Sequence, residues 1–162
     1  MKNKKRFNFA KLAISVLGVL LVGFVSSFFG MSSIETWYQT LSKPSFNPPS
    51  WVFGPAWTLL YILIGVSFYL VWTSDADKAA KKQAYLIFVV QLALNFLWTF
   101  LFFGNQMIFG ALLDIILLWA VILLNIFVFY KITKAAGVLL IPYLLWVSFA
   151  ALLNYFIWAL NR

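Results

Sequence analysis

The side chains able to do chemistry in this chain are mostly aromatic rings and amides. Histidine and cysteine are both absent, and the four acids are Glu35, Asp75, Asp77 and Asp114. Without histidine the commonest general base and metal ligand is missing, as is the usual axial ligand of haem. Without cysteine there is no thiolate nucleophile, disulfide or iron–sulfur site. Four acids are too few for most oxygen-ligated metal sites. No nucleophile–base pair, metal cluster or phosphate-binding loop can be assembled, which argues against hydrolysis and acyl transfer. The sequence therefore assigns no catalytic and no metal-binding residue.

What remains is concentrated. The stretch WYQTLSKPSFNPPSWVFGPAWTLLY (37–61) sets Trp37, Trp51, Trp57, Tyr38 and Tyr61 among Pro44, Pro48, Pro49 and Pro55. Proline stiffens a loop by fixing φ. Tryptophan and tyrosine offer flat apolar faces with one polar handle each. Together they suggest a rigid aromatic lid, with Trp37, Tyr38, Phe46, Pro48 and Pro49 in it, over a site for a flat, greasy ligand. The alternative is an aromatic girdle at the headgroups. Trp57 and Tyr61 share a helix face at i, i+4. Gln91, Asn95 and Trp98 form a stripe at i, i+4 and i+7, and two amides at membrane depth need partners. Those partners are either ligand groups or neighbouring helices. Trp146, Phe149, Ala150 and Leu153 share another face, where bulk beside a small residue shapes a slot or eases helix approach. Asp114 is the one acid inside an apolar run. Intramembrane acids are functional candidates by default, but this one lies near a helix end, so a structural hydrogen bond is the expectation.

The elements that position these residues are membrane helices. The 162-residue chain is 64% hydrophobic and 10% charged, far too apolar for a soluble domain of this size. Apolar runs at about 12–30, 51–73, 84–103, 107–130 and 137–160 each approach the ~20 residues needed to cross a bilayer. The expected fold is an all-α integral membrane bundle of five transmembrane helices, one domain over 1–162, with an aromatic and proline-rich loop at 31–50. Gly104–Gln106 makes a tight hairpin. Pro55 and Pro142 fall in the first turns of their helices, where a missing N–H costs nothing. The first run resembles a signal peptide in its basic start, but no convincing cleavage site follows, and it is read as a retained helix. Internal repeats are absent, which argues against an inverted-repeat transporter.

The formal charge of +8 could suggest nucleic acid. The cations sit at helix ends, however, so a lipid bilayer is the partner and nucleic acid is excluded. Lys2, Lys4, Lys5, Arg6, Lys11, Lys78, Lys81, Lys82, Lys131 and Lys134 fall on one side, against Lys43 and Arg162 on the other. The positive-inside rule then puts the N-terminus in the cytoplasm and the C-terminus outside.

Several segments, WYQTLSKPSFNPPSWVFGPAWTLLY, QLALNFLWTFLFFG, GALLD and LIPYLLWVSFAALLNYFIWALN, resemble in order the translocator protein, or tryptophan-rich sensory protein, family. The resemblance runs from about Phe24 to the end, and the short basic tail favours a bacterial or archaeal member. It implies a five-helix bundle, commonly a homodimer, that binds porphyrins including haem as ligand, with no resident cofactor. It implies pocket roles for Trp57 (through Pro55, Trp57, Leu60, Tyr61), Asn95, Trp98, Trp146 and Ala150. Phe46 departs from the tryptophan often found at that position. Cholesterol, a ligand of eukaryotic members, is doubtful: six residues separate Tyr155 from Arg162, one more than the weak recognition pattern allows. The function that follows is a membrane tetrapyrrole-binding protein acting as sensor, carrier or scavenger. Propionates would point to the outer water near Lys43. The alternatives are a light-dependent porphyrin-degrading enzyme, with a tryptophan as electron donor, and a transporter of small hydrophobic molecules.

Overall fold

The computed structural model describes residues 7–162. Lys2, Lys4, Lys5 and Arg6 of the orientation argument lie outside the described residues. All described regular structure is helical: α1 (Phe9–Ser27), α2 (Met31–Glu35), α3 (Trp37–Thr40), α4 (Phe53–Trp72), α5 (Lys78–Thr99), α6 (Ile108–Ile132), α7 (Lys134–Leu139) and α8 (Ile141–Leu160). A short 3₁₀ turn at Ser50–Val52 leads into α4, and a π-helical turn at Phe100–Gly104 ends α5. Five stretches are long and apolar enough to span a membrane: Phe9–Ser27, Ser50–Trp72, Lys78–Gly104, Ile108–Ile132 and Lys134–Leu160.

Local chemistry sets the boundaries. Asn8 caps α1 by accepting the Lys11 N–H at 3.0 Å, and Asp77 caps α5 by accepting the Ala80 N–H at 2.8 Å. The third span therefore starts at Lys78, earlier than the run at 84–103 suggests. The lysines and alanines of KAAKK are good helix formers once an N-cap precedes them. Lys81 folds back to donate to the carbonyls of Trp72 and Ser74 at 3.2 and 2.7 Å. The 31–50 connection is more ordered than an open loop, since it holds α2 and α3. The fifth span is broken at Leu140, where Pro142 starts α8.

The helices pack as a bundle in which α6 lies between α5 and α8, and α1 runs along α4 and touches α5. A Cβ added at Gly65 would stand 2.6 Å from the Val16 Cα, so α4 meets α1 backbone to backbone. Phe68 stacks on Phe88 at 4.4 Å, and Phe88 on Phe129 at 6.1 Å. Buried polar groups bind between helices: Ser67 Oγ donates to the Ala136 carbonyl at 2.7 Å, and Asn125 Nδ2 to Gln91 Oε1 at 3.0 Å. Leu17, Leu21, Leu86, Val89, Leu113, Leu117, Leu145 and Leu152 are among many large apolar side chains that face outward. A water-facing surface would not carry so broad an apolar belt. Lipid accounts for it, and the chain is a multi-pass membrane protein.

Candidate ligand-binding cavity

The bundle encloses a cavity of about 540 Å³ at the end that carries the 28–52 connection. Four long helices supply its walls. From α4 come Phe53, Gly54, Trp57, Thr58 and Tyr61. From α5 and its π turn come Trp98, Thr99, Phe102 and Phe103, and from α8 come Trp146, Ala150, Leu153, Asn154 and Ile157. The α1 wall is Leu20, Gly23, Phe24, Ser26 and Ser27, continued by Gly30, Met31 and Ile34, while Tyr38 of α3 closes the end. Phe24, Ser27 and Met31 on one edge and Ser50, Gly54 and Thr58 on the other are exposed, so the cavity has a slot between α1 and α4.

The geometry is that of an aromatic box. Trp57 stacks on Tyr61 with centroids 5.5 Å apart and planes at 28°. Trp57 also meets Trp146 edge-on at 6.5 Å and Tyr143 at 6.2 Å. Across the cavity Trp98 stacks on Phe102 at 5.4 Å. The Trp98 ring is fixed by its Nε1–H donating to Asn154 Oδ1 at 3.0 Å, and Asn154 in turn donates to the Ile108 carbonyl at 3.0 Å. The Tyr61 ring has room because residue 23 is glycine; a Cβ there would land on the ring.

Seven of the residues singled out in the sequence line this space: Trp57, Tyr61, Trp98, Trp146, Ala150, Leu153 and Tyr38. Asn95, Gln91, Phe149, Trp37 and Pro48 do not line it. Asn95 is buried beneath Tyr61, accepting the Tyr61 O–H at 2.8 Å and donating to the Tyr143 hydroxyl at 3.2 Å. Gln91, one turn further along α5, is wholly buried against Asn125, with its Nε2 unpartnered. Phe149 packs between Trp146 and Phe46 at 5.7 and 6.3 Å. Trp37 packs edge-on against Phe102 at 5.6 Å. Pro48 offers its carbonyl to Asn47 Nδ2 at 3.1 Å within the loop. The helical stripe explains the division on α5: only its Trp98 end reaches the cavity.

The loop is pinned across the cavity's end. Ser42 N–H donates to Asn161 Oδ1 at 2.9 Å, and Asn161 Nδ2 donates back to the Ser42 carbonyl at 2.8 Å. The Tyr38 hydroxyl donates to Asn47 Oδ1 at 2.7 Å. Burial pushes the Tyr38 phenol up to about 12, with the Asn47 hydrogen bond opposing it. The Lys43 ammonium does not face the cavity. It donates to the carbonyls of Tyr38 and Leu41 at 2.6 and 3.1 Å and sits 4.8 Å over the Tyr38 ring. Asp114 also differs from expectation: its buried Oδ2 has no hydrogen-bond partner.

Sequence reasoning missed the α1 wall. Its Ser26-Ser27 pair near the end of an apolar helix was the available signal, together with Gly23, whose close contact is with Tyr61 of the same chain.

Residues 15–159 match the model of the TspO/MBR family. The chain belongs to this family. A TspO/MBR relative from Archaeoglobus fulgidus, "Tryptophan-rich protein TspO", is 47% identical over 95% of this chain and 99% of its own length. The protein of the same name from Chlorobaculum tepidum is 42% identical over 93% and 95%. The human "Translocator protein" is 38% identical over 86% and 83%. The family's aromatic segments thus build one space here, suited to stacking on a flat molecule, and place no charged side chain in its lining.

Proposed function

We propose that this protein binds tetrapyrroles, porphyrin or haem, in the aromatic cavity and acts as a membrane sensor, carrier or scavenger for them. The observation that carries the reading is the box of Trp57, Tyr61, Trp98 and Trp146 around a cavity of about 540 Å³. A volume in the few-hundred Å³ range with apolar walls is typical of small-molecule sites. The family resemblance supplies the tetrapyrrole class, and the names of two relatives, a "Tryptophan-rich sensory protein" and a "Translocator protein", agree with a sensing or translocating role. Asn95 acts through Tyr61, holding the ring that forms one wall.

The test is a tryptophan-fluorescence titration with protoporphyrin in detergent, corrected for inner-filter effects. Saturable quenching that weakens in Trp57→Phe and Trp146→Phe, at unchanged helical content, is expected. Linear quenching common to all variants means partition into the micelle and removes the reading.

A second reading, light-dependent porphyrin degradation, is favoured by one observation: Trp57 is in ring contact with Trp146, Tyr61 and Tyr143, a group of oxidisable side chains at the cavity wall. Loss of porphyrin absorbance under illumination, slowed in Trp57→Phe, supports it. The lysine asymmetry supports a cell-membrane location with the N-terminus cytoplasmic and the lid outside, and a homodimer belongs to the same proposal. Single cysteines placed in the lid and in the 73–77 turn, labelled in whole cells, test the orientation.

A further inference from the structure

Two sides of the cavity are not solid helix wall: the lid across its end and the slot between α1 and α4. They are held in very different ways. The lid is latched to the end of α8 by the paired bonds between Ser42 and Asn161, at 2.9 and 2.8 Å. Asn161 Nδ2 also donates to the Ile157 carbonyl at 2.7 Å, which fixes the latch on its own helix. Ring contacts add to this. Trp37 meets Phe102 at 5.6 Å, Tyr38 meets Phe103 at 5.7 Å, and Phe46 meets Phe156 at 5.4 Å. Lifting the lid breaks all of these and draws the buried Tyr38 out of its place. The slot has no such ties. The Ser26, Ser27 and Thr58 hydroxyls donate to carbonyls of their own helices, as serine and threonine often do. Among the described residues, no hydrogen bond joins 24–31 to 50–58. A Cβ added at Gly54 meets nothing within 4 Å.

The rim of the slot is apolar. Phe24, Phe28 and Met31 stand exposed on the α1 side, and Trp51 and Leu59 on the α4 side. Such a rim suits lipid, not water. An exposed tryptophan like Trp51 settles at headgroup level, and Thr58 lies about two turns, ~10 Å, further in along α4. The slot thus runs from the headgroups into the acyl chains. We propose that ligand passes between the cavity and the lid-side leaflet through this slot, while the lid stays latched. The protein then takes its ligand from the bilayer and returns it there, and the lid is a fixed wall against water. The proposal takes only its ligand from the tetrapyrrole reading. A porphyrin is a flat macrocycle that enters edge-on between two helices, with its carboxylates trailing at headgroup level.

The natural chain has no cysteine, so engineered thiols act alone. The full-length protein is placed in lipid nanodiscs, and protoporphyrin exchange is followed by tryptophan quenching. Ser42→Cys with Asn161→Cys, oxidised to a disulfide, locks the lid. Gly54→Cys carrying a bulky maleimide plugs the slot, and Gly54→Leu narrows it without a label. Locking the lid should leave the exchange rate within about twofold of the reduced form. Plugging the slot should slow exchange by on the order of tenfold, and protoporphyrin loaded before the plug should stay trapped. Exchange stopped by the locked lid, or untouched by both the plug and Gly54→Leu, overturns the proposal. A second measurement needs no porphyrin. A small fluorophore on Thr58→Cys should be quenched by lipid brominated on its acyl chain, and little by aqueous iodide. Quenching by iodide alone, or by neither as a second copy over the slot would give, also overturns the proposal. If protoporphyrin does not bind saturably, the tetrapyrrole reading fails, and the bromolipid measurement alone decides whether the slot opens to lipid.

Discussion

Where α4 carries Gly65, it lies against the backbone of α1, and a methyl group added there would stand 2.6 Å from Val16 Cα and 3.0 Å from the Ser15 carbonyl. Three turns earlier on the same helix, at Gly54, an added methyl would meet nothing within 4 Å. The same two helices are therefore closed at one end and parted at the other. The closed half holds stacked phenylalanines and the Gln91–Asn125 amide bond. The parted half holds rings with space between them. The Tyr61–Asn95–Tyr143 chain ties α4, α5 and α8 together at the boundary between the halves. A membrane gives little hydrophobic drive for helices to associate, so packing and hydrogen bonds must do it. Close packing in one half is what permits a cavity in the other.

The largest effect is expected from closing the gap that glycine leaves. Gly65→Ala should cost about 2 kcal/mol, because backbone atoms of α1 have nowhere to move and overpacking of this kind typically costs 1–3 kcal/mol. Its unfolding midpoint in detergent should fall well below wild type. An unchanged midpoint would mean that the two halves are equally loose, and the contrast would collapse.

Next comes the boundary. Tyr61→Phe keeps the stacking on Trp57 but leaves Asn95 Oδ1 without its donor. The expected loss is about 1 kcal/mol, the usual weight of such a bond inside a membrane protein. Asn95→Leu removes the need for the bond, so the double variant should lose less than the sum of the two single ones. Additive losses would show that the pair does not couple the halves.

Smaller again is the hairpin at the cavity end. Gln106 sits at φ 57°, in the left-handed region. Gln106→Gly should stabilise by about 0.5 kcal/mol, since the strain relieved slightly exceeds the added freedom of the unfolded chain. The same unfolding assay reads it, and a destabilised variant would show that the Gln106 side chain makes a contact worth more than the strain.

The five spans were legible because hydrocarbon thickness leaves its length in the sequence. The start of the third span was not, because a charged segment follows the Asp77 cap and looks like a loop to any hydropathy measure. Seven cavity residues were legible from ring character, helical spacing and the family resemblance taken together, since spacing alone left helix packing as an equal reading. Spacing alone did not show that Asn95 lies under Tyr61, since a stripe on one helix does not say which neighbour covers it. The α1 wall was hidden for a related reason: serines that bond to their own helix carry no pattern of partners. Lys43 was assigned to the pocket mouth by its place in the loop, whereas nearby carbonyls and the Tyr38 ring hold it.

The smallest expected effect tests the open half most directly. Gly54 lies in the first turn of α4, with its φ in the ordinary range, and lines the slot. Alanine there should gain a few tenths of a kcal/mol from lower backbone entropy in the unfolded chain. Ligand affinity should stay within about twofold, because one methyl takes little of so large a cavity. Gly54→Leu separates space from stability: it should fold as well as wild type yet slow or weaken protoporphyrin uptake by narrowing the slot opposite Ser27. If Gly54→Ala instead destabilises as much as Gly65→Ala, the parted end of α1 and α4 is closed in the membrane, and the cavity is smaller than the bundle makes it.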